Sequence, residues 1–172
     1  MDDNYRIVTL YEFKDKINPI RCSFQTLFAG KKAECGAFEP VALTKALPVG
    51  SSVQAVGEEV LEALKDFNAV APEYSSMEHG KTYRAIAKSV GARSYKFLEE
   101  NSRYIQVLQK FAENDGVTEV IPFDNCNIKQ WISALENEII VLPLHPSTQS
   151  LGNAIYKAFS VATYHPARTL PK

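Results

Sequence analysis

Hydrophobic periodicity is strongest in the middle and at the end of the chain. From Val53, apolar residues recur as Val56, Val60, Leu61, Leu64 and Phe67, the spacing of one helical face, with Ser51 or Ser52 placed to cap it. Leu151, Ile155, Ala158, Phe159 and Ala162 predict a second amphipathic helix behind Pro146 and Ser147. Between these two, Ser75 with Glu78 has the capping-box spacing, and the helix it opens runs towards Val90 until Gly91 ends or kinks it. Phe97, Tyr104, Ile105, Leu108 and Phe111 form a stripe that predicts a further helix from about Ser94 to Glu113, closed by Asn114, Asp115 and Gly116.

Strand patterns are fewer. Tyr5 to Val8 reads as a short strand, after which Thr9 and Glu12 make a capping box for a brief helix that Pro19 stops. Residues 20–50 are punctuated by Gly30, Gly36, Pro40, Pro48 and Gly50 and show little beyond a short helix near Ser23 to Ala29. Val117 to Phe123 and the apolar run Ile139 to Leu144 read as strands, with a helix from about Ile128 to Glu136 between them, capped by Asn127 and Gln130. Strand–helix–strand spacing favours a right-handed crossover between parallel strands. The fold expected is thus α/β or α+β: one globular domain over residues 1–164, a small and partly parallel sheet of about three strands, about six helices, and a loose tail over 165–172.

Composition narrows the class without selecting an activity. The chain has 172 residues, 45% apolar and 23% charged, which suits a folded domain and excludes disordered and disulfide-knot classes. Two acids near the N-terminus and the lack of a long apolar run argue against a signal peptide or a membrane span, so a soluble, cytoplasmic protein is expected. Three cysteines, Cys22, Cys35 and Cys126, without CxxC spacing suit a reducing compartment. His79, His145 and His165 are too scattered for a metal site, and Gly80-Lys81-Thr82 lacks the first glycine of a P-loop. The stretch Ile140-Val141-Leu142-Pro143-Leu144-His145-Pro146 resembles a segment near the C-terminus of pyridoxal-phosphate sugar aminotransferases, over roughly 25 residues. It carries no site residue across, and no cofactor is expected.

Charge is unevenly distributed although it sums to −1. The helix from Val53 carries Glu58, Glu59, Glu62 and Asp66 on its polar side, a face suited to a basic partner. Lys81, Arg84, Lys88, Arg93 and Lys96 form an acid-free run with Tyr83 and Tyr95 interleaved, but no nucleic-acid motif accompanies them, and they read as a solvated face. The best supported function on these grounds is a protein-binding domain, in concrete form an immunity or inhibitor protein that neutralises a basic toxin such as a nuclease by occluding its active site. The alternative is a small hydrolase or transferase. Parallel C-terminal strands would gather Asp124, Cys126, His145 and Ser147 at one sheet edge, with Cys126 as nucleophile, His145 as base and Asp124 as orienter.

Overall fold

The computed structural model describes residues 5–29, 32–65, 76–112, 115–125 and 132–164, with 23–29, 32–39 and 76–79 as backbone alone. Its centre is an eight-stranded antiparallel sheet: β1 (Tyr5–Phe13), β2 (Lys16–Ala29), β3 (Lys32–Leu43), β4 (Leu47–Pro48), β5 (Arg103–Lys110), β6 (Val117–Asp124), β7 (Ser133–Ala134) and β8 (Ile140–Pro143). The order is β3-β2-β1-β5-β6, with β4 also beside β2 and with β7 and β8 both along the outer side of β6. Four α-helices accompany it: α1 (Val53–Lys65), α2 (Ser76–Ser89), α3 (Tyr95–Glu100) and α4 (Thr148–Val161). The architecture is α+β, and it overturns the expected three-stranded, partly parallel sheet with six helices.

The misread parts of β1 and β5 share one cause: a strand buried on both faces loses the alternation that marks a half-exposed one. In β1, Val8 and Leu10 turn to one side and Ile7, Tyr11 and Phe13 to the other, all buried. Thr9, expected as a helix cap, is buried in this strand with its hydroxyl 3.4 Å from Cys22 Sγ. The chain reverses at Lys14 and Asp15, whose φ values of 52° and 59° are those of a type I′ hairpin turn. Asn18 braces this end, its Nδ2 donating to the carbonyls of Tyr11 and Lys16 at 3.1 and 3.0 Å. Pro19 interrupts no ladder because it falls where the outer neighbour of β2 changes from β4 to β3.

The stripe expected as one long helix is divided in two. Only Tyr95–Glu100 is helical, with Ser94 Oγ accepting from Phe97 N at 3.0 Å; Arg103–Lys110 is β5, which pairs with β1 and β6. Likewise β6 and β8 are true strands but antiparallel, Val117 facing Pro143 and Val120 facing Ile140. The connection holds β7 and a 3-10 turn at Glu136–Glu138 where a crossover helix was expected. Residues 128–131 of that expected helix, its cap Asn127, and the tail 165–172 lie outside the described residues.

Helices cover both faces of the sheet. On one face α1 and α4 bury Val56, Val60, Leu64, Leu151, Ile155, Ala158 and Phe159 against Val8, Leu10, Ile105, Val107 and Val120. These two helices meet where neither has a side chain: a Cβ on Gly57 would run into the Thr148 carbonyl, and one on Gly152 into the Val53 carbonyl. On the other face α2 and α3 set Ile86, Ala87, Leu98 and Tyr95 against Tyr11, Phe13, Ile20 and Tyr104. The end of α2 is a Schellman turn, in which Gly91 has φ +74° and Gly91 N and Ala92 N donate to the Lys88 and Ala87 carbonyls.

Candidate functional site

Antiparallel pairing disperses the expected edge site. His145 follows β8 and therefore lies beside the start of β6, exposed, in a shallow depression with Asp115, Gly116 and Val117. Asp124 ends β6, seven residues further along, a distance of roughly 23 Å at strand rise. There its role is structural. Thr163 Oγ1 donates to Asp124 Oδ1 at 2.5 Å and accepts from Asn125 N at 2.8 Å, which ties the chain after α4 to the sheet. Ser147 caps α4, its Oγ accepting from Ser150 N at 3.1 Å. Cys126 lies outside the described residues. The structure thus brings Ser147 near His145 by sequence adjacency and leaves Asp124 at the opposite edge. Among the described residues no group of three His, Cys, Asp or Glu side chains could hold a metal ion, and no helix is long and apolar enough to cross a membrane.

The acidic face exists, and its members have different roles. Glu58 and Glu62 are exposed on α1; Glu58 accepts from Gln54 Nε2 at 2.8 Å, and Glu62 pairs with Lys65. Glu59 is half-buried and accepts from the backbone N–H of Lys45 at 2.9 Å, fixing the loop before α1. Asp66 lies outside the described residues. Glu58 and Glu62 are the acids that this face leaves exposed among the described residues.

The basic run occupies the other side of the sheet. Lys81, Arg84 and Lys88 are exposed along α2; Arg93 sits 4.4 Å over the Phe97 ring, and Lys96 is 3.7 Å from Glu100. The interleaved tyrosines serve the interior. Tyr83 and Tyr95 pack edge to face at 4.4 Å, and the Tyr95 hydroxyl meets that of Tyr11 at 3.0 Å. Rings used this way are poor platforms for stacked bases.

Those contacts belong to a polar cluster that sequence reasoning missed. Where α3 meets the sheet, Tyr95 of α3 joins Tyr11 and Tyr104, with Gln106 Nε2 donating to the Tyr104 hydroxyl and the Tyr11 and Tyr104 rings 5.2 Å apart. Burial pushes all three phenols well above their ordinary range, and the nearby charge of Glu99 adds to each. Glu99 itself is pushed up to about 7, first by burial and then by the like charge of Glu100. The one available signal was the spacing of Tyr95 and Glu99, which places them one turn apart on a helix.

No protein-family model matches the chain, and no curated protein sequence matches it. Solved structures that share its fold include two that align nearly end to end. A protein of unknown function from Neisseria meningitidis aligns with a TM-score of 0.64 at 15% identity, over 95% of this chain and 98% of that one. A chain of a CdiA-CT/CdiI toxin and immunity complex from Yersinia pseudotuberculosis aligns with a TM-score of 0.64 at 14% identity, over 92% and 98%. At these identities the likeness establishes the fold.

Proposed function

We propose that this chain is a protein-binding inhibitor of the immunity type, which neutralises a basic toxin by covering its active site. The observation that carries this reading is the near end-to-end fold match to a chain of a toxin and immunity complex. The immunity role, as opposed to the toxin role, is supported by Glu58 and Glu62, acids presented on a rigid helix for a basic partner. Such a surface speeds encounter at low ionic strength and loses that advantage as salt rises. A cytoplasmic site of action is the reading of three cysteines without CxxC spacing.

The test is coexpression with the polypeptide encoded immediately upstream in the native genome. An immunity protein forms a stoichiometric complex with it and restores growth that the upstream product alone arrests. Growth arrest caused by this chain alone, or absence of a complex, overturns the reading.

A further inference from the structure

Where α4 ends, a chain of polar contacts fastens the residues behind it to the sheet. Thr163 N donates to the Phe123 carbonyl at 3.2 Å, while Thr163 Oγ1 links Asp124 Oδ1 and Asn125 N. Tyr164 donates its hydroxyl to Glu12 Oε1 at 3.0 Å. Glu12 is in turn held by Arg103, whose Nη2 donates to both carboxylate oxygens at 2.9 and 2.6 Å. The same guanidinium gives its Nη1 to the Phe159 carbonyl at 2.7 Å and lies 5.3 Å from the centre of the Tyr164 ring. Arg103 thus joins β1, the last turn of α4 and the residues after it.

The chain is held differently on the two sides of Ala162. Up to that point Leu151, Ile155, Ala158, Phe159 and Ala162 are buried in the apolar core, and Gly152 is in contact with the α1 backbone. At Ala162, with φ −61° and ψ 143°, the helix gives way to extended chain, and Thr163 and Tyr164 are half-buried. Apolar anchoring resists local opening, whereas hydrogen bonds near the surface exchange with water at small net cost. Contacts that share atoms also strengthen one another and are lost together.

We propose that Thr163 and Tyr164 form a strap, hinged at Ala162, that opens as one unit while α4 and the sheet stay folded. Glu12 is its catch, and Arg103 sets the position of Glu12. Opening uncovers the Glu12–Arg103 pair, whose side chains are only 12% and 25% exposed with the strap in place. The device goes beyond the inhibitor reading and does not depend on it.

The test is hydrogen exchange in the intact chain, read by NMR at the Thr163 and Asn125 amides and, inside α4, at Ile155. The two strap amides should be protected to within about fivefold of each other and at least about 100-fold less than Ile155, and low urea should leave them unchanged. Tyr164→Phe, which keeps the ring and removes the bond to Glu12, should speed both strap amides about tenfold. Arg103→Lys, which cannot hold Glu12 and Phe159 together, should speed them at least about threefold. Val60→Ala opens a cavity under strap-open and strap-closed forms alike, so it should speed Ile155 at least about tenfold and leave the strap amides unchanged. Strap amides that follow Ile155 in urea or in Val60→Ala, or that either strap variant leaves unchanged, overturn the proposal.

Discussion

The two helical layers cover the same sheet in opposite ways. Between α1 and α4 the contact is apolar and so close that Gly57 and Gly152 touch backbone, leaving no volume to adjust. Beneath α2 and α3 the contact is aromatic and hydroxylic, with hydrogen-bonded tyrosines and the half-buried carboxyl of Glu99. The contrast separates two duties. The first layer sets stability through shape. The second holds buried hydroxyls that have to be paired, Tyr11 with Tyr95 and Tyr104 with Gln106.

The sharpest way to break this contrast is to add one methyl group. Gly57→Ala or Gly152→Ala should cost about 3 kcal/mol in urea unfolding, because backbone and not a flexible side chain must move. Gly50→Ala, where a Cβ meets open space, should change stability by less than about 0.5 kcal/mol. A small loss at Gly57 would mean that the first layer adapts as readily as the second.

Acid–base titration examines the other layer with an effect of similar or slightly smaller size. Glu99 is raised from 4.5 to about 7 in the folded chain, so the folded state holds its proton more tightly than the unfolded state does. Its contribution is therefore most favourable at low pH; stability declines as pH rises from about 4.5 to about 7 and then levels, by on the order of 2–3 kcal/mol at most. Glu99→Gln should remove that component of the pH profile and leave the chain at least as stable at pH 8; an unchanged profile would show that Glu99 is solvated.

Smaller effects refine the picture. Tyr95→Phe removes one member of the Tyr11–Tyr95 hydroxyl pair and should cost about 1 kcal/mol by thermal unfolding. Glu58→Lys with Glu62→Lys should alter stability by less than about 0.5 kcal/mol while slowing association with a basic partner and flattening its salt dependence. Stopped-flow rates measured at two ionic strengths would check this. Glu59→Lys should by contrast cost about 1 kcal/mol, since the Lys45 N–H loses its acceptor.

What could be read from the residues follows the same division. The helices α1 and α4 were legible because each buries one stripe and exposes the other, so Val56, Val60, Leu151 and Ile155 fall at helical intervals and their caps, Ser52 and Ser147, stand at the expected ends. The start of β1, Tyr5 to Val8, was legible as a strand, but its continuation to Phe13 and all of β5 were not, because Tyr104 and Ile105 are buried on opposite faces, which erases the period of two and lets a stripe such as Phe97, Tyr104, Ile105 and Leu108 pass for a helix. Local capping chemistry misled at Thr9, where sheet pairing prevailed over the helix signal. Of the candidate site, the acidic face was visible as charge spacing. The tyrosine cluster was not, because Tyr11 and Tyr104 reach Tyr95 from strands far from it in sequence or paired across the sheet.

The position of β1 at the middle of the sheet has a consequence for how the chain comes to be made. Its pairing with β2 closes through a two-residue turn and can form as soon as β2 has emerged. Its other side waits for β5, since Leu10 pairs with Ile105, roughly a hundred positions later. At a synthesis rate of about 5–20 residues per second, the growing chain carries an open, apolar strand edge for about 5–20 seconds. During that interval the newborn protein is at its most exposed to mispairing, and a β5 that is slow to dock would be felt first as lost yield.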